Sequence, residues 1–224
     1  MPPEVVLWHL GTISDVDDEC VIALYHVRRR WARVAVVAYC HVSVPTAPLL
    51  MAAGRAGVDR LVVRGHDDLR ESIRHELRNR GVVVAGRDVM ARLGLHESAA
   101  SRVFEHCVSR VAATTLNVDG LANDFGVHRK TVRNWLRAGG LPSPERVISW
   151  SRLLVAASLL QASSRTVASV ATWLSFGSES AFRGMLMRYA GMTPHDLRQS
   201  DGFERLVCAF RGATEHSDAH THET

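Results

Sequence analysis

The chain of 224 residues has no apolar run of membrane-spanning length, and no signal-peptide pattern opens it. A water-filled, cytoplasmic setting without a membrane partner is therefore expected. Cysteine is sparse. Cys20, Cys40, Cys107 and Cys208 lie far apart and form no Cys-x-x-Cys pair, which argues against a disulfide framework or a structural metal site and for free thiols in a reducing compartment. Lysine is nearly missing: Lys130 is the sole one, and every other cation of the side chains besides histidine is arginine. No nucleophile stands at a recognisable spacing from a base and an orienting group, so no enzyme and no cofactor are expected. Asp15, Asp17, Asp18 and Glu19 invite a metal reading. Carboxylates before and within a first helical turn are explained by the helix dipole instead.

What is present is unevenly distributed. Residues 1–97 hold 13 arginines against 12 acidic residues, so +1. Residues 98–200 hold 12 Arg and Lys against 6 acidic residues, so +6, and residues 201–224 carry −3. Positive charge thus gathers in one segment, as contact with phosphates requires. Within it, Val118 to Pro144 reads as two short helices and a tight turn. Ala122 is the small residue that lets the second helix approach. Gly126 suits a left-handed turn. Leu121, Phe125, Val132 and Leu136 supply the core between the helices. The second helix, about residues 128–138, turns Arg129, Lys130, Arg133, Asn134 and Arg137 outward, which suits a helix in the DNA major groove.

In chain order, Glu4–Leu10, Arg33–Val42 and Val58–Arg64 read as continuous apolar strands. Residues 15–31, 45–57 and 69–80 between and after them read as helices. Strands without alternation, separated by helices, indicate a parallel sheet covered on both faces. The spacing, including AGVDRLVVRG at the last strand, resembles the second half of a response-regulator receiver domain. The earlier strands of that family have no counterpart, and with them goes the acidic pair for Mg²⁺. His9 stands at the phosphoacceptor position, Cys40 near the Thr or Ser switch and Arg64 at the Lys. The resemblance therefore implies a degenerate, unphosphorylated module over residues 1–82, followed by a linker over 83–97.

Residues 98–113 form an amphipathic helix ahead of the first helix-turn-helix. After Pro142-Ser143-Pro144 comes a long apolar helix, about residues 145–160. Residues 166–190 then repeat the first unit's logic: Ala171 as the small residue, a turn, and Phe182 and Leu186 facing inward. Thr193 and Pro194 suit the cap and first position of a last short helix. Residues 201–224 are polar and acidic after Phe210 and are expected to be disordered, with His216, His220 and His222 solvated.

Two such units joined by a long helix resemble the DNA-binding domain of the AraC/XylS family of transcriptional regulators. The matching residues are Leu121, Ala122, Gly126-Val127, Val132, Leu136, Gly140 to Pro144, Arg152, Ala156, Leu159-Leu160, Val170-Ala171, Phe176, Ser178, Phe182, Tyr189, Gly191 and Thr193-Pro194. They span about residues 98–200. His128 departs from the family's capping Ser, and Ser175 from its turn Gly; Gly177 beside it is the expected relief. The resemblance implies two recognition helices in successive major grooves. The expected fold is an α/β N-terminal module plus an all-α C-terminal domain with two helix-turn-helix units joined by a long helix. Double-stranded DNA is the expected partner. Its main contacts would be Arg129, Lys130, Arg133, Asn134 and Arg137, with Ser178, Glu179, Ser180, Arg183 and Arg188 secondary. A second copy, joined through residues 1–80, and RNA polymerase complete the expected partners. The rival reading is a protein-interaction module on the same helical domain without DNA binding, motivated by the few polar residues of the second recognition helix.

Overall fold

A computed structural model describes residues 5–10, 18–30, 34–40, 54–55, 57–112, 116–162 and 165–219. The chain divides into two compact units, residues 1–80 and 81–224. The first contains strand β1 (Val5–Leu10), helix α1 (Asp18–Arg30), strand β2 (Ala35–Cys40) and strand β3 (Arg60–Val63). The sheet is parallel with order β1-β2-β3, as the unbroken apolar strands imply. Val5 pairs with Ala35 and Val37 with Arg60, which sets both registers. Successive side chains of β2 point to opposite faces, and Ala35, Val36, Val37, Ala38 and Cys40 are all fully buried, so both faces are covered. Leu24 of α1 packs on Val36. Of the helix expected over residues 45–57 only residues 54–55 and 57 are described, the first two as helix; the acidic residues Asp15 and Asp17 and the His9 side chain lie outside the described residues.

Helix α2 (Leu69–Leu93) begins in this unit. Its Arg80 pairs with Asp59 at 2.5 Å, and Asp59 accepts the Val36 N–H at 2.7 Å. Arg60 donates to His75 Nδ1 at 2.8 Å. Burial, and then the Arg60 guanidinium, hold the His75 imidazole below its ordinary pKa. Buried Cys40 has its thiol pushed up by desolvation, so it is an inert core residue.

The expected linker over 83–97 is a correction. Helix α2 runs on without a break to Leu93 and ends at Gly94, whose φ is +58°. Gly81 and Gly86 look like breakers in sequence but serve close packing. A Cβ on Gly86 would meet Val108 Cγ1 at 2.9 Å, and one on Gly81 would meet Trp173 at 3.2 Å.

The second unit continues with α3 (Ala99–Arg110), α4 (Val118–Asp124), α5 (Arg129–Ala138), α6 (Pro144–Ala162), α7 (Val167–Trp173), α8 (Glu179–Ala190), α9 (Pro194–Leu197) and α10 (Gly202–Ala219). The α/β plus all-α description therefore holds. Helix α6 is the hub, packing against α3, α5, α7, α9 and α10. Trp150, Leu153, Leu154, Val155, Ala156 and Ala157 are each fully buried, because α6 is apolar all round. Arg152 lies half-buried on it and donates to the Leu116 carbonyl at 3.5 Å. Cys107 beside it has its thiol pushed up to about 12 by burial. Thr193 and Asp196 form a capping box with Pro194 at the start of α9, as the sequence implied. The Thr193 N–H and hydroxyl, each 2.7 Å from the Asp196 carboxylate, hold its pKa below the usual range. No described helix is long and apolar enough to cross a membrane.

The expected disorder over 201–224 is also corrected. Residues 202–219 form α10, and Phe203, Leu206, Val207 and Phe210 are buried in the common core. Phe210 meets Phe104 at 5.4 Å and Trp150 at 5.5 Å between ring centroids, and Arg92 lies over Phe203 at 4.4 Å. The spacing 203, 206, 207, 210 is a helical stripe that outweighs the acidic composition. Residues 220–224 are not described. Phe210→Ala is expected to destabilise the second unit by about 3–5 kcal/mol in urea unfolding, as for a buried aromatic. A disordered segment would give no change.

Candidate nucleic-acid interface

The two helix-turn-helix units share one construction. In the first, Asn117 caps α4 by accepting the Gly120 N–H at 2.8 Å. Gly126 takes the left-handed conformation at φ +63°, and the Val127 N–H donates to the Ala122 carbonyl at 3.0 Å. In the second, Thr166 caps α7, and the Phe176 N–H donates to the Ala171 carbonyl at 3.0 Å. The small residues Ala122 and Ala171 occupy equivalent places in the two turns. Val132 and Leu136 are buried beneath α5, and Phe182 and Leu186 beneath α8.

Two departures noted in the sequence resolve locally. His128 caps α5 itself, its Nδ1 accepting the Lys130 N–H at 3.2 Å. Ser175 stands in the left-handed region at φ +57°, so the conformation falls on it and Gly177 gives no relief. The compensation is its hydroxyl, which donates to the Ala112 carbonyl at 3.0 Å just past α3. Spacing alone carries no signal of that bond.

Helix α5 presents its charges as expected. Arg129, Lys130, Arg133, Asn134 and Arg137 are all exposed. An open groove of about 630 Å³ runs along them, bordered also by Val118, His128 and Glu145. Arg129 pairs with Asp119 at 3.2 Å, and Arg133 with Glu145 at 3.9 Å. Arg137 donates to Asn134 Oδ1 at 3.4 Å. The two acidic partners went unmarked in the sequence because they sit on neighbouring helices. Gly139 ends α5 where a Cβ would lie 2.4 Å from the Ala100 Cβ, so α5 is seated tightly on α3.

Helix α8 is sparser. Ser178 is its N-cap, accepting the Ala181 N–H at 3.0 Å. Glu179 accepts two hydrogen bonds from Arg183, the Nε one at 2.9 Å. Ser180, Arg183 and Arg188 are exposed, and Arg188 lies over the Tyr189 ring at 5.4 Å. The secondary residues Ser178, Glu179, Ser180, Arg183 and Arg188 thus all lie on α8 or at its cap. Among the described residues no group of three His, Cys, Asp or Glu side chains is arranged to hold a metal ion.

This geometry defines a helical domain with two helix-turn-helix units on a common core. Residues 121–200 match a family described as a helix-turn-helix domain, of the AraC type. Domains of this kind are DNA-binding and regulatory rather than enzymatic. No curated protein and no solved structure matches the chain.

The Ser175 turn makes a measurable claim. Ser175→Ala keeps the left-handed strain and loses the hydrogen bond, so it is expected to cost about 1 kcal/mol in urea unfolding. Ser175→Gly loses the same bond but removes strain of about 1 kcal/mol, so it is expected to be near neutral. Equal losses for both variants would remove the compensation argument.

Proposed function

We propose that this chain is a sequence-specific transcriptional regulator, bacterial and cytoplasmic, that sets α5 and α8 in successive major grooves on one side of duplex DNA. The observation that carries the reading is the exposed basic stripe of α5, repeated in backbone form at α8 on the same core. Helix α6 lies between the two units in the chain, and its 19 residues rise about 28 Å. Successive grooves on one face recur every ~34 Å. Arg129, Lys130, Arg133, Asn134 and Arg137 are the principal contacts. Ser178, Glu179, Ser180, Arg183 and Arg188 form the second set. Arginine is suited to guanine O6 and N7 or to phosphate, and asparagine to adenine.

The first unit is read as a receiver-like module that passes a signal through a second copy or another protein. Strand β1 pairs only with β2 among the described residues, and Leu7, Ile22 and Tyr25 are exposed. An open strand edge of this kind favours pairing with another chain. RNA polymerase is the further partner this function calls for.

Selection from a random duplex pool at ~50 and ~200 mM salt tests the DNA reading. A site with two half-elements about one helical turn apart is expected, with affinity falling roughly a thousandfold or more between the two salts. Arg133→Ala is expected to relax the preference at one base pair, costing about 1–3 kcal/mol there. Weak, salt-insensitive binding without enrichment would refute it. For the first unit, sedimentation of the full chain at micromolar concentration is expected to give a dimer that the edge variant Leu7→Lys disrupts. A strictly monomeric wild type would refute pairing through residues 1–80.

A further inference from the structure

The two recognition helices share a backbone and differ in what they present. Val132 and Leu136 correspond to Phe182 and Leu186 at an offset of 50 residues. The same offset sets Lys130, Arg133, Asn134 and Arg137 against Ser180, Arg183, Gly184 and Met187. Each set is spaced i, i+3, i+4, i+7 and forms one stripe along its helix. All eight residues are exposed. Only the arginine is common to both. In α8 a lysine has become serine, an asparagine glycine and the last arginine methionine.

The α8 stripe is poorly suited to phosphate. It has one cation where the α5 stripe has three, and that one, Arg183, pairs with Glu179 in the turn before it, as Arg133 of α5 pairs with Glu145. Its other features are apolar or open. Met187 is 52% exposed, whereas Phe182 and Leu186 are buried and Met185, Tyr189 and Ala190 pack against the core. A Cβ on Gly184 would meet nothing within 4 Å, so the backbone there is bare. Along the base edges of the major groove, the one apolar group is the thymine 5-methyl. A flexible thioether beside a bare turn of helix fits that group.

We infer that the second recognition helix reads a thymine. Met187 packs on the 5-methyl, Gly184 lets the helix approach the base edges, and Arg183, oriented by Glu179, sets the register on a neighbouring guanine. The inference rests on α5 and α8 being the recognition helices.

The test uses the full chain and the duplex it selects from a random pool. Each thymine of that duplex is replaced in turn by deoxyuridine, which removes the methyl alone. Binding is measured for wild type, Arg183→Ala and Met187→Ala. Arg183→Ala marks the half-site of α8 by the base pair whose preference relaxes. In that half-site one deoxyuridine is expected to weaken wild-type binding about fourfold, the worth of one buried methyl-sized group. Met187→Ala, a change at an exposed position, is expected to bind the thymine and deoxyuridine duplexes equally. Equal binding of both duplexes by wild type, in a site that keeps two half-elements, overturns the thymine reading and leaves two-groove binding intact. Methyl sensitivity that survives in Met187→Ala overturns the assignment to Met187. A selection that enriches nothing overturns both readings together.

Discussion

The burial of α6 on nearly every side from Trp150 to Leu160 is the constraint on which the helical unit depends. An isolated helix of this composition would expose apolar surface all round, so it needs a complete jacket. Helices α3, α5, α7, α9 and α10 provide it. Trp150 illustrates the demand. Its ring meets Tyr189 at 5.4 Å and Phe210 at 5.5 Å, so residues from α8 and α10 close on one side chain. Helices α5 and α8 are both held through this core, α5 by direct packing on α6 and α8 through Tyr189. Their outward faces are therefore free of any structural duty and can carry recognition chemistry.

That freedom explains how the two units diverge. Turn geometry is under backbone control: a carbonyl at Ala122 or Ala171 accepts the same bond, and a left-handed residue follows in each case. The first unit uses glycine there at no steric cost. The second uses serine and offsets the strain with a hydroxyl bond to the Ala112 carbonyl. The stripe facing outward obeys no such rule. It carries three cations in α5 and one in α8, and Arg133 of the first and Arg183 of the second each have an acidic partner.

Much of this was legible in the sequence, for physical reasons that can be named. Continuous apolar strands announced a parallel sheet, and β2 is buried on both faces. Ala122, Gly126 and Val132 announced the first turn because few residue types tolerate those positions. The failures came where composition was weighed above periodicity. Acidic residues after position 200 concealed the stripe Phe203, Leu206, Val207 and Phe210. The segment after residue 82 reads as a linker, whereas α2 continues through it, with Gly81 and Gly86 at close approaches of Trp173 and Val108. The Ser175 bond and the acidic partners of Arg129 and Arg133 join separate elements, so no local pattern could carry them.

The ion pairs on α5 bear on how such a surface would work on DNA. Arg129 with Asp119 and Arg133 with Glu145 are exposed on both sides of the pair. Exposed pairs of this kind are worth about 0–1 kcal/mol. A contact to a phosphate or a guanine edge is charge-assisted and, at the base, bidentate, and each good base pair contact contributes about 1–3 kcal/mol of discrimination. Under the proposed function the exchange would therefore run downhill on duplex DNA. The acidic partners Asp119 and Glu145 also lower the net charge of the face. The arginines that α5 would give to DNA are thus paired weakly enough to be released when the helix enters a groove.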